Sequence, residues 1–223
     1  MKKIIIVSTT NYIFKEIKKS NKINTRIYFI KKKKELNLKK ILKIQPDLIF
    51  FVQWHWKINR ILHEKYKCIG FHETPLPYGR GGTPIQNMIL RGFTKTKVCA
   101  LKIVDKFDQG PIYMSKSISL KGKGQEIMIR INKIIFSMII KLTKKLPSPL
   151  AQKGKAVYFK RREPSMSELP KNLNNMKIFN FIRMLDIEEK NFPRAHILYG
   201  KNKIILSNAF FEGKKIKFEG FIE

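Results

Sequence analysis

The chain has 223 residues and a mass of 26.3 kDa; 43% hydrophobic content excludes a wholly disordered polypeptide and suits one domain, or one domain with a short appendage. Lys and Arg number 47 against 16 Asp and Glu, a formal charge of +31 that fits a nucleic-acid or anionic-membrane partner. Yet 38 of those cations are Lys, and Lys, Ile and Asn make up 86 of the 223 residues, the composition that A/T-rich coding favours, so the charge alone does not select a polyanion.

Met1-Lys2-Lys3 and the four apolar residues Ile4 to Val7 fall short of the ~7–15 apolar residues of a signal peptide, and no stretch approaches the ~20 of a membrane span. Ile4 to Val7 reads as a buried strand, and Ser8-Thr9-Thr10 as caps opening a helix to about Lys19. A short strand over Arg26 to Ile30, a charged run to Lys34 and a helix over Leu36 to Ile44 follow. Pro46-Asp47 breaks the chain before Leu48 to Val52, the clearest buried strand; Ile58 to Tyr66 is helical and Cys68 to Phe71 extended. Strand and helix alternate, which argues for an α/β unit with parallel strands.

A Pro/Gly-rich loop spans Glu73 to Gly82, and Thr83-Pro84 reads as a helix cap with proline in the first turn of a helix to about Arg91. Val98 to Val104 and Ile112 to Leu120 are expected to pair across a turn over Asp105 to Gly110. Gln125 to Lys145 is a long amphipathic helix, and Ala156 to Lys160 is extended. Beyond Arg161 come a helix over Asn175 to Leu185 and a small β appendage from Lys203 to Leu206 and Ile216 to Ile222. Cys68 and Cys99 lie in apolar runs 31 residues apart and read as buried thiols. No His/Cys/Asp/Glu cluster has metal-ligand spacing, so no metal is expected. The protein is expected to be soluble and cytoplasmic.

Chemistry concentrates in Phe71 to Asn87. His72 ends a buried strand, where catalytic groups of α/β domains collect. The loop after it holds two prolines and three glycines, a mixture that is rigid yet allows close approach to a ligand, and it ends at a helix N-terminus that favours negative charge. Gly79 to Gly82 is no GxGxxG and does not follow the first strand, so a dinucleotide fingerprint is absent.

The order His72-x-x-x-Leu76-Pro77-x-x-Arg80-Gly81-x-x-Pro84-Ile85-Gln86 resembles the folate-dependent formyltransferases. Asp108-Gln109-Gly110-Pro111-Ile112, 36 residues after His72, looks like the family's Asp-x-Gly-x-Ile turn, and Phe181 to Leu185 and Pro193-Arg194-Ala195 resemble its later landmarks. The resemblance implies a Rossmann-like formyltransferase domain over residues 1–160, with a mixed, mostly parallel sheet, and a C-terminal helix and small β appendage over 161–223. It implies N10-formyltetrahydrofolate as formyl donor, with Trp54, His55, Trp56, Arg80 and Gly81 as candidate donor-binding residues. His72 is the expected general base and oxyanion partner, and Asp108 fixes its state. The family's third catalytic residue, an Asn two positions before the His, is replaced by Gly70, and Asn87 is the substitute amide favoured here.

For the acceptor, the loop looks more like the branch that formylates nucleotide-linked amino sugars for surface glycans. Only ~60 residues follow Arg162, too few for the C-terminal barrel of the tRNA branch. A nucleotide-linked amino sugar is therefore the expected acceptor. Methionyl-tRNA formylation and a catalytically degenerate ligand-binding relative are the alternatives. Oligomeric state stays open between monomer and homodimer.

Overall fold

The computed structural model describes residues 1–19, 25–188 and 193–223. Consecutive apolar residues that alternate with short amphipathic helices form a sheet buried on both faces. Strands β1 (Lys3–Val7), β2 (Arg26–Ile30), β3 (Leu48–Phe51), β4 (Cys68–His72), β6 (Lys95–Lys102) and β7 (Ile112–Ser119) make a six-stranded sheet in the order β2-β1-β3-β4-β6-β7. The first four run parallel, and β6 returns antiparallel to β4, with His72 opposite Cys99. The sheet is mixed and mostly parallel, and the turn between β6 and β7 lies where the sequence places it. Ile4, Ile5, Ile6, Ile49 and Phe50 are fully buried.

Helices α1 (Tyr12–Lys18), α2 (Leu38–Ile44) and α3 (Arg60–Lys65) connect the parallel strands. Asn37 and Asn59 cap α2 and α3 through their side-chain oxygens. The expected Ser8–Thr10 cap of α1 is not formed: α1 starts after Asn11 without a side-chain bond, and Thr10 Oγ1 donates to Gln53 Oε1 at 2.5 Å instead. The loop after β1 is tied to the loop after β3, a tertiary contact that outweighs the local cap.

The Pro/Gly-rich segment contains a short strand that sequence patterning misses: β5 (Tyr78–Gly81), paired with β8 (Val157–Phe159). Helix α4 (Pro84–Leu90) follows, and α5 (Gly124–Lys144) is the long helix expected from the apolar periodicity. Helix α6 (Asn175–Leu185), capped by Asn174, precedes an antiparallel sheet of β9 (His196–Tyr199), β10 (Asn202–Glu212) and β11 (Lys215–Ile222).

Contacts divide the chain into two compact units. The first comprises Met1–Arg80, Lys97–Ile118 and Arg130–Tyr158; the second comprises Gly81–Thr96, Ser119–Ile129 and Phe159–Glu223. In the second unit, α6 packs against α4 and β10. Arg183, expected as a family landmark, is an internal brace there. Its guanidinium donates to the carbonyls of Leu120 and Gly122 at 2.7 and 2.9 Å and to Asn180 Oδ1 at 2.8 Å, and burial lowers its pKa. Both cysteines are buried, and burial pushes the Cys68 thiol up to about 12, so neither is a ready nucleophile. Among the described residues no helix is long and apolar enough to cross a membrane.

Candidate active site

His72 is the last residue of β4 and is 5% exposed. Its Nε2 lies 2.7 Å from the carbonyl oxygen of Gly79. A carbonyl only accepts, so Nε2 carries the hydrogen. Nδ1 faces Asp108 Oδ1 at 3.5 Å. The Asp108 carboxylate therefore faces the ring nitrogen that is free to take up a proton, an arrangement that suits a proton-transfer catalyst.

Asp108 sits in the turn between β6 and β7 with φ 55°, a left-handed conformation that Asp tolerates better than most residues. Two residues on, a Cβ on Gly110 would fall 1.7 Å from the Lys102 carbonyl oxygen. Only glycine lets this turn lie against β6, which accounts for the Asp-Gln-Gly sequence.

Glu73, adjacent to the pair, received no role from the sequence. It is 8% exposed, and desolvation pushes its carboxyl up to about 7; His72 opposes the shift and Asp108 adds to it. A single carboxylate in a Pro-rich loop carries no pattern that announces such burial.

Two of the five expected donor-binding residues line a cavity of about 70 Å³ that also reaches Phe71, Asp108 and Gly110: Trp54 and Trp56. Their rings meet edge-on with centroids 4.7 Å apart, and His55 stacks at a tilt on Trp56 at 4.8 Å. Among the described residues, the buried Trp54 Nε1 has no hydrogen-bond partner. Gly70 also lines this cavity, and a Cβ there would lie 2.6 Å from Ile103 Cδ1, so a larger residue at this position requires the Ile103 side chain to shift.

Arg80 and Gly81 lie elsewhere. The Arg80 guanidinium donates to Gln152 Oε1 from Nε at 3.2 Å and Nη2 at 2.7 Å, and to the Tyr158 hydroxyl from Nη1 at 3.1 Å. Gly81, with φ 105°, brings β5 against its own chain rather than a ligand, because a Cβ would fall 2.4 Å from the Phe159 carbonyl oxygen. The Asn87 amide, expected to substitute for the missing Asn, is committed within its own unit. It donates to the carbonyls of Gly82, Thr83 and Lys160, each at 3.1 Å, and to Thr83 Oγ1 at 3.2 Å, while its oxygen accepts from Arg91 at 2.8 Å. A primary amide has two hydrogens, and these acceptors engage both.

Comparison with known proteins fits this arrangement. A family model described as the methionyl-tRNA formyltransferase C-terminal domain matches residues 164–219. The curated methionyl-tRNA formyltransferase of Sulfurihydrogenibium sp. is 28% identical over 193 residues, 81% of this chain and 59% of that protein; the chain thus spans about three fifths of its length. The solved methionyl-tRNA formyltransferase from Clostridium thermocellum is 39% identical with a TM-score of 0.94, covering 100% of this chain and 99% of that one. A sugar N-formyltransferase from a Shewanella species has a TM-score of 0.72 but 14% identity, over 93% of this chain and 97% of that one, a likeness of fold alone.

These relationships overturn the expected nucleotide-linked amino-sugar acceptor and the ranking of tRNA below it. The argument from the short tail fails because a protein of that name and nearly equal extent matches the whole chain, and because the tail itself matches the C-terminal-domain model. With 39% identity along its full length and the His72–Asp108 pair at the end of its central sheet, the chain belongs to the folate-dependent formyltransferase family.

Proposed function

We propose that the chain transfers a formyl group from N10-formyltetrahydrofolate to the α-amine of methionine carried on methionyl-tRNA. The full-length 39% identity with the Clostridium thermocellum protein of that activity carries the reading. The match of residues 164–219 to a tRNA formyltransferase C-terminal domain supports the acceptor. The charge of +31 then has a use, since cations that neutralise phosphates release counterions and strengthen binding at low salt. A cytoplasmic location follows from that acceptor.

The cavity residues suit the donor. The Trp54–Trp56 pair offers aromatic surface to a planar heterocycle, and among the described residues the buried Trp54 Nε1–H has no acceptor, which leaves it for a ligand carbonyl or ring nitrogen. The bound donor supplies an activated formyl carbon; the residues supply proton movement and charge placement. A new bond forms between the amine nitrogen and the formyl carbon while the bond from that carbon to N10 breaks. The amine gives up one proton and N10 gains one. With Nε2–H held by the Gly79 carbonyl, the unprotonated Nδ1 of His72 is the carrier, taking the proton from the amine and returning it to the departing nitrogen. Asp108 holds the imidazolium in between, as carboxylates do beside catalytic histidines. Charge that develops on the formyl oxygen is met by the positive charge of the same imidazolium.

The test incubates the purified chain with formyl donor and charged initiator tRNA and follows formylmethionine by mass. Free methionine serves as control. Product on tRNA, none on free methionine and none with His72→Ala is the expected outcome. A folded wild-type chain that leaves methionyl-tRNA unformylated sinks the reading.

A further inference from the structure

Gln152 lies in a segment that neither the motif nor the comparisons single out, yet it holds the Asp108 turn. Its Nε2 donates to the carbonyl oxygens of Asp108 at 2.7 Å and Gly110 at 2.8 Å, spanning the turn that carries the carboxylate. Its Oε1 accepts both bonds from Arg80. The segment reaches the turn because Leu150 and Ile112 exchange backbone hydrogen bonds at 2.7 and 2.9 Å, which brings the stretch after Leu150 beside the start of β7.

Charge fixes the orientation of this amide. A guanidinium only donates, so Oε1 faces Arg80 and Nε2 faces the two carbonyls; the reverse orientation would set donor against donor and acceptor against acceptor. Arg80 extends the hold: Nη1 shares the Tyr158 hydroxyl with Nε2 of Gln109, the middle residue of the turn. On its opposite side the turn is pressed against β6 at Gly110 and bonded from Lys102 N to Pro111 O at 2.9 Å. A left-handed Asp108 is thus clamped from two sides.

We infer that Gln152, oriented by Arg80, is a positioning residue for catalysis that holds the Asp108 carboxylate against His72. This rests on the formyl-transfer reading. Side chains that act through another are non-additive with it, and that property gives the test.

Gln152→Glu keeps an acceptor for Arg80 and removes both bonds to the turn. It should lower kcat by about 10–30-fold, with KM for the formyl donor within about 3-fold of wild type. Asp108→Asn should cost about 10²-fold or more, and the double variant should be no slower than Asp108→Asn alone. Arg80→Lys, which loses the fork but keeps the charge, should give a smaller loss of kcat in the same direction. Wild-type kcat in Gln152→Glu, or losses that multiply in the double variant, would overturn the inference. Hydrogen exchange over residues 104–112 needs no substrate and separates this inference from the acceptor reading. Faster exchange in the folded Gln152→Glu variant supports the clamp even if wild-type protein proves inactive on tRNA, and unchanged exchange refutes it.

Discussion

Two groups of buried polar side chains use the same residue types for opposite ends. In the second unit, Asn87, Arg162 and Arg183 bond to backbone carbonyls or neighbouring side chains, and Arg162 and Arg183 also lie over the rings of Phe181 and Phe179. Their bonds tie segments distant in sequence, and a proton has no reason to move among groups whose donors already meet acceptors. In the first unit, His72 Nδ1 and Asp108 Oδ1 approach at 3.5 Å, and burial pushes the carboxyl of Glu73 beside them up to about 7. Buried polarity is therefore not a signature of catalysis in itself. What separates the two groups is that donors of the second unit meet carbonyls and side-chain oxygens, whereas His72 and Asp108 set two titratable side chains against each other.

The sharpest way to break this contrast is to remove the poised pair. His72→Ala and Asp108→Asn should each lower kcat by at least ~10²-fold while the melting temperature stays within a few degrees. Near-native rates in either variant would show that the pair is structural, like the arginines of the second unit.

Glu73 sharpens the contrast through pH. Its folded pKa, about 7, lies above the ordinary value of 4.5, so the folded state binds the extra proton between those values. Stability from this group is complete below about pH 4.5, falls as pH rises, and is lost above about pH 7, a change of about 3 kcal/mol at most. Denaturant melts of wild type and Glu73→Gln across that range should show the decline in wild type and a flatter profile in the variant. Parallel profiles would remove Glu73 from the set of perturbed groups.

Asn87→Ala tests the other side. Loss of the amide leaves the Lys160, Gly82 and Thr83 carbonyls without their partner and should cost about 1–3 kcal/mol of stability, while kcat of the folded fraction changes by less than about 3-fold. A rate loss near 10²-fold without destabilisation would return Asn87 to the catalytic group.

Much of the fold is legible in the sequence because its central strands are buried on both faces and leave near-continuous apolar runs. Ile4 to Val7 and Leu48 to Phe51 are such runs, and both strands lie where the runs predict. Strand β5 is not legible, because its Tyr-Gly-Arg-Gly sequence has no strand propensity; pairing with β8 makes it a strand. His72 and Asp108 could be singled out from an order and spacing that resemble the family's motifs, whereas Asn87 was attractive for its amide and its place at the start of the next helix. Its hydrogen bond to Lys160, 73 residues away, leaves no local trace.

The sequence by itself determined the parallel α/β core and the long helix, since periodicity is a local property, while His72 and Asp108 were expected from the family resemblance. Tertiary structure decided the surroundings of each polar group. It buried Glu73, filled the space at Gly70 with Ile103, spent the amide of Asn87, and set Gln152 between Arg80 and the Asp108 turn. Protonation and hydrogen-bond satisfaction depend on neighbours in space: those of the Gln152 amide lie 42 to 72 residues away in the chain, and Asn87 reaches Lys160 across 73.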